Sequence, residues 1–153
     1  MVYSKVNLGL FYKNELVSLM TFSKPRFDKK HEWELVRFCN KLNYNVIGAA
    51  SKLLKYFEKN FSPKNIVSYA DRCWSKGNLY IKLGFKLDHI SPPDYWYTNS
   101  LIRESRIKYQ KHKLSKILTN FDETKSEVQN MLDNGFARIW NCGNLVMEKN
   151  YET

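Results

Sequence analysis

The chain has 153 residues, of which 15% are aromatic, and only six glycines and four prolines; that suffices for one packed domain and excludes a low-complexity or disordered segment. A formal net charge of +10 favours a polyanionic partner, nucleic acid first. No apolar run is long enough to span a membrane, and Met1–Ser4 lacks the basic-then-apolar pattern of a signal peptide, so a cytoplasmic protein is expected.

Val6–Tyr12 alternates apolar residues and predicts a strand, Lys13-Asn14 a tight turn, and Glu15–Phe22 a second strand that Pro25 stops. Ser23–Lys30 is a basic loop with Lys24, Arg26, Lys29 and Lys30. Glu32–Cys39 predicts a third strand, with Trp33, Leu35, Arg37 and Cys39 on one side and Glu32, Glu34, Val36 and Phe38 on the other. Asn45–Asn60 has Val46, Ala50, Leu53, Leu54 and Phe57 at helical spacing, with Lys52, Lys55 and Lys59 elsewhere on its surface. It predicts an amphipathic helix capped by Asn45.

Beyond Pro63, Ile66–Ala70 reads as a buried strand, a short helix starts near Ser75, and another strand starts at Phe85. Gly84 stands where a left-handed residue would end that helix. Pro92-Pro93 breaks the chain, and Tyr95–Thr98 is a short aromatic strand. Arg103–Thr119 predicts a helix with Ile107, Leu114 and Leu118 as its stripe, and Asp122–Asp133 a second one closed by Asn134-Gly135. Phe136–Cys142 and Leu145–Glu148 predict a hairpin about Gly143-Asn144. The mixed order indicates an α/β or α+β sheet with helices packed on it.

Cys39, Cys73 and Cys142 are far apart without CxxC spacing, and His31, His89 and His112 are equally scattered. Reduced, mostly buried thiols and no metal site are expected. The densest charge is Arg103, Arg106, Lys108, Lys111, Lys113 and Lys116 against Glu104 alone. With Tyr95, Trp96, Tyr97 and Tyr109 nearby, this segment could track a phosphate backbone and stack on bases, or be a solvated face.

Two further stretches bear chemistry. Asn45, Val46, Ile47, Gly48, Ala49 and Ala50 open the long helix, where unpaired amides and the dipole suit a pyrophosphate and small side chains allow close approach. The same residues could equally pack the helix closely on a sheet. Tyr80 lies one turn before Gly84, where its hydroxyl could protonate a leaving group or be a satisfied core hydroxyl.

Together, in this order, Asn45-x-x-Gly48-x-Ala50 and Tyr80-x-x-x-Gly84-Phe85 resemble the GNAT superfamily of acyl-CoA-dependent N-acyltransferases, over roughly residues 6 to 99. The resemblance implies a GNAT-like α/β domain with a mixed sheet of about six or seven strands over 1–99. Residues 100–153 would add a basic helical extension and terminal hairpin packed on the same domain. It also implies acetyl-CoA or a related acyl-CoA held by amides from Asn45 to Ala50, with Tyr80 protonating the departing thiolate. Departures from the pattern are Asn45, where the family has Arg or Gln, and Cys73, where it commonly has Asn.

Glu34-Leu35-x-Arg37, Ser68-Tyr69-Ala70-Asp71 and Gly77-x-x-Tyr80-x-x-x-x-Phe85 are similar to the Mom-type phage proteins, a GNAT-like group that modifies adenine in DNA. That implies Glu34, Arg37 and Asp71 beside Tyr80, with Glu34 or Asp71 as general base for an attacking amine, or as a structural partner of an Arg. Lys111-His112-Lys113-Leu114 and Arg138–Asn144 resemble the tail of phage homing-endonuclease-like proteins, although no nuclease signature is present. The expected function is acyl transfer on, or associated with, nucleic acid, DNA above all. The alternatives are a catalytically silent DNA-binding module and a phage protein that inhibits a host factor.

Overall fold

The computed structural model describes residues 3–151. The chain forms two compact units, one from Met1–Ser91 with Asn144–Thr153 and the other from Pro92–Gly143. The architecture is mixed α/β, with a six-stranded mixed sheet in the first unit and a three-stranded sheet in the second. Among the described residues no helix is long and apolar enough to cross a membrane.

In the first unit, β1 (Val6–Tyr12) and β2 (Glu15–Ser23) form a hairpin. Lys13 and Asn14 both adopt positive φ, 48° and 64°, as a two-residue turn matched to strand twist requires. β3 (Trp33–Asn40) pairs antiparallel with β2, and α1 (Ala49–Phe61) connects it to β4 (Asn65–Asp71), which pairs with β3 in parallel. Next come α2 (Asn78–Lys82) and β5 (Lys86–Ile90). After the second unit the chain returns as β9 (Asn144–Asn150), which lies antiparallel between β4 and β5 and completes the order β1-β2-β3-β4-β9-β5.

α1 buries Ala50, Leu53, Leu54 and Phe57, a 3.6-residue stripe, against Met20, Phe22, Leu35, Ile66 and Met147 of the sheet. Phe57 stacks on Phe22 with ring centroids 3.6 Å apart and receives the edge of Trp33 at 5.2 Å. Lys149 Nζ of β9 donates to Glu58 at 2.7 Å and to the Leu83 carbonyl at 2.9 Å. The Tyr151 hydroxyl also donates to Glu58, and burial followed by that bond pushes it above the usual phenol range.

The second unit centres on β6 (Tyr95–Thr98), flanked by β7 (Arg103–Ser105) and β8 (Ala137–Trp140). A 3₁₀ turn (Arg106–Tyr109), α3 (Lys111–Leu114) and α4 (Glu127–Asp133) complete it. Its core is Tyr97, Tyr109, Leu114, Leu118 and Met131.

Several expected elements differ. The helix expected over Arg103–Thr119 is a strand, a 3₁₀ turn and one helical turn, because Ser105 and Gln110 sit in extended conformations that interrupt any continuous ladder. Ile107, expected in its buried stripe, is 63% exposed, and Tyr109 is buried instead. The helix expected from Asp122 starts at Glu127, where Ser126 accepts the Gln129 amide as N-cap. The C-terminal hairpin does not form: β8 pairs with β6, whereas β9 joins β4 and β5. Asn144 enters the larger sheet by bonding twice to Ser91. All three cysteines are exposed, since they lie at a strand end and in turns rather than in either core.

Candidate functional site

Strands β3 and β4 pair in parallel at Trp33 with Ile66 and Glu34 with Val67, near the start of each strand. One residue further, the Ser68 hydroxyl donates to the Leu35 carbonyl at 2.8 Å, and the Tyr80 hydroxyl lies 3.2 Å from Ser68 Oγ. A serine has a single proton to give; with it on Leu35, the Tyr80 hydroxyl is the donor to Ser68. The carboxyl ends of β3 and β4 beyond this point lead into the loops before α1 and α2. In open α/β sheets, ligands bind in such crevices.

Tyr80 is fixed by the end of α2. Gly84 adopts φ +83°, Gly84 N donates to the Ile81 carbonyl at 3.0 Å, and Phe85 N donates to the Tyr80 carbonyl at 2.9 Å. These two bonds with a left-handed glycine make a Schellman ending, and the Tyr80–Phe85 ring contact, at 5.8 Å, is its usual apolar companion.

The six residues assigned to the phosphate turn divide. The helix starts at Ala49 and is capped by Gly48, not Asn45, because Gly48 takes φ +74° and the chain before it runs as a loop. A Cβ at Gly48 would meet nothing within 4 Å, so the space over this backbone is open. Asn45, Val46 and Ile47 precede the helix, and Ile47 is exposed. Ala49 and Ala50 face inward and let α1 pack closely on the sheet.

Glu34 is fully buried. Its Oε1 receives the Arg26 guanidinium, with Nη2 at 2.6 Å and Nε at 2.8 Å, and its Oε2 receives the Arg26 amide at 2.9 Å. Strand alternation puts Glu34 and Val67 on the face opposite Leu35, Ile66 and Ser68, so Glu34 and Tyr80 border the end of the pairing from opposite faces. Burial, then the Glu34 carboxylate, pushes the Tyr69 hydroxyl above its usual range on that same face. Arg37 is exposed, lies opposite Thr21 at a bulge, and is not the partner of Glu34. Asp71, exposed at the end of β4, accepts the Cys73 amide on Oδ1 at 2.8 Å.

The cations of the second unit do not share one helix. Arg103 lies over the Trp96 ring at 3.9 Å, Arg106 pairs with Asp94 at 2.9 Å, and Lys108 pairs with Glu104 at 2.6 Å. Lys113 donates to the Ile107 carbonyl at 3.0 Å, and Lys111 opens α3. The second unit carries 8 basic and 6 acidic side chains, whereas the first carries 17 and 9. Most of the charge excess therefore belongs to the first unit. Among the described residues no group of three or more His, Cys, Asp or Glu is placed to hold a metal.

No known family model matches the chain, and no curated protein matches it.

Ser68 and Arg26 stand in stretches that the sequence singles out, but neither the Ser68 contact with Tyr80 nor the Arg26 pairing with Glu34 is legible there. A serine opposite a strand end leaves no spacing signal, and Arg26 reaches Glu34 only through the shape of its loop. Replacing Arg26 with Met strands a carboxylate that has no access to water. The expected loss is about 3 kcal/mol, the low end for a broken buried pair because Arg26 is partly exposed. Urea unfolding reads it, and adding Glu34→Gln to that variant recovers part of the loss.

Proposed function

We propose that the chain is an acyl-CoA-dependent N-acyltransferase of the GNAT type that acts on, or in association with, nucleic acid, DNA above other polymers. The supporting observation is the Tyr80 hydroxyl 3.2 Å from Ser68 Oγ, where the β3–β4 pairing stops, in the chain order and motif spacing of that family. Open space over Gly48 at the start of a 13-residue helix fits a pyrophosphate approaching the backbone. Gly48 and the amides of the first turn of α1 are the groups to hold it.

When bound, an acyl-CoA supplies an activated acyl thioester. Tyr80 holds the proton for the departing sulfur. Asp71 is better suited than Glu34 to take the proton of an attacking amine, because it is exposed, whereas Glu34 is buried with both carboxylate oxygens occupied by Arg26. An opening bordered from both faces lets the base and the acid act from opposite sides. One proton leaves the amine as the N–C bond forms, and one reaches sulfur as the C–S bond breaks.

A second reading keeps the fold without the chemistry, as a DNA-binding module of the homing-endonuclease type. It is favoured by the Tyr80 hydroxyl, which already has Ser68 as a partner and is thereby satisfied as a structural tyrosine would be.

Calorimetry with acetyl-CoA on Gly48 variants tests the cofactor site. Gly48→Glu brings a carboxylate to the phosphates and is expected to weaken binding by tenfold or more, about 1.4 kcal/mol. Gly48→Asn tolerates the left-handed backbone and keeps binding within a few-fold of the parent. Equal binding by all three proteins would remove Gly48 from the site.

A further inference from the structure

We propose that Trp74, on a turn pinned by Asp71 at the end of β4, is the platform on which an unpaired nucleobase of the acceptor stacks; this rests on the nucleic-acid reading above. Trp74 is 91% exposed, the most exposed of the four tryptophans. Trp33 packs on Phe57, Trp96 lies under Arg103, and Trp140 meets Tyr95 at 4.9 Å. Among the described residues no ring or cation stacks on Trp74.

The exposed ring is nevertheless on a well-ordered turn. The Asp71 carbonyl accepts the Trp74 amide at 3.1 Å and the Ser75 amide at 2.8 Å, and Asp71 Oδ1 accepts the Cys73 amide. Ser75 Oγ then accepts the Gly77 amide at 3.1 Å. Gly77, at φ +78°, lies so close to β9 that a Cβ there would come within 3.0 Å of Leu145. These bonds thereby fix the six-residue segment 72–77 that leads from β4 into α2, the helix that carries Tyr80. A large planar apolar surface carried into water on a hydrogen-bonded turn suits a partner with a flat ring.

Charge selects among such partners. Arg72 and Lys76 lie two residues to either side of Trp74 in the sequence, residues 72–76 contain no acid, and the first unit holds 17 basic against 9 acidic side chains. A polymer of flat rings joined by phosphates complements this pattern better than an apolar peptide. A paired duplex hides its ring faces, so the ring takes a base that is single-stranded or turned out of the stack.

The test is fluorescence anisotropy of the full chain with a labelled single-stranded DNA oligonucleotide and with an abasic oligomer of the same length. Trp74→Ala is expected to bind the oligonucleotide about 5- to 100-fold more weakly. Trp74→Phe, which keeps a ring, should stay within about threefold, and the parent should bind the abasic oligomer about as weakly as Trp74→Ala binds DNA. Unchanged binding by Trp74→Ala, or equal losses in Ala and Phe, overturns the stacking role and leaves the nucleic-acid reading standing. No binding by the parent protein overturns both. Trp74-dependent binding to anionic lipid vesicles, without Trp74 dependence on DNA, assigns the ring to a lipid surface and also overturns the role.

Discussion

Phe57→Ala is expected to destabilise the protein by about 3–5 kcal/mol, the largest stability effect of any change considered. The ring is fully buried, stacks on Phe22 within 8° of parallel, and also touches Trp33 and Phe61. Its removal leaves a cavity that two sheet aromatics and a helix backbone cannot fill without moving. α1 makes the connection between β3 and β4, so loosening it also loosens the end of the pairing where Tyr80 and Ser68 meet. Urea unfolding followed by circular dichroism measures the loss, and Phe57→Leu, which keeps most of the apolar volume, should lose clearly less. Equal losses for Ala and Leu would mean that the aromatic stack, not volume, holds the helix.

Tyr80→Phe separates a chemical role from a structural one. Loss of a general acid is expected to slow acyl transfer by about 100-fold or more, measured as thiol released from acetyl-CoA in the presence of acceptor. Acetyl-CoA binding stays unchanged, because the ring and its contact with Phe85 are retained. Ser68 loses one neutral hydrogen-bond partner, which costs about 1 kcal/mol of stability. A variant with the stability loss and full activity would make Tyr80 a structural residue only.

Much of the first 91 residues could be read from local signals. Strand alternation and Lys13-Asn14 marked the first hairpin, and the positive φ of those two residues is the physical content of that signal. Gly84 likewise announced the end of α2, since few residues other than glycine take φ +83° at low cost. The stripe Ala50, Leu53, Leu54 and Phe57 was correct, but the helix starts later because Gly48, rather than the better capping side chain Asn45, has the backbone freedom the loop needs.

The rest depends on contacts distant in sequence. β9 belongs between β4 and β5, over 50 residues away from either, and a sequence window around Gly143 sees only an adjacent strand and calls for a hairpin. The spacing of Ile107, Leu114 and Leu118 imitates one helix, yet only Leu114 and Leu118 share a hydrogen-bonded stretch, α3 and the turn that continues it, with Leu118 N donating to the Leu114 carbonyl at 2.8 Å, while Ile107 lies in the preceding 3₁₀ turn and is exposed. The candidate site divides in the same way. Tyr80 was visible through its glycine, and pairing with an arginine was one of the two readings of Glu34, but Arg26 as that arginine was not legible, because it meets Glu34 only after the loop has folded over the sheet.

Titration of acetyl-CoA into the intact protein, followed by calorimetry, tests the acyltransferase reading most directly. Saturable binding with one molecule per chain is expected. A flat titration at concentrations well above those of an ordinary substrate complex would contradict it.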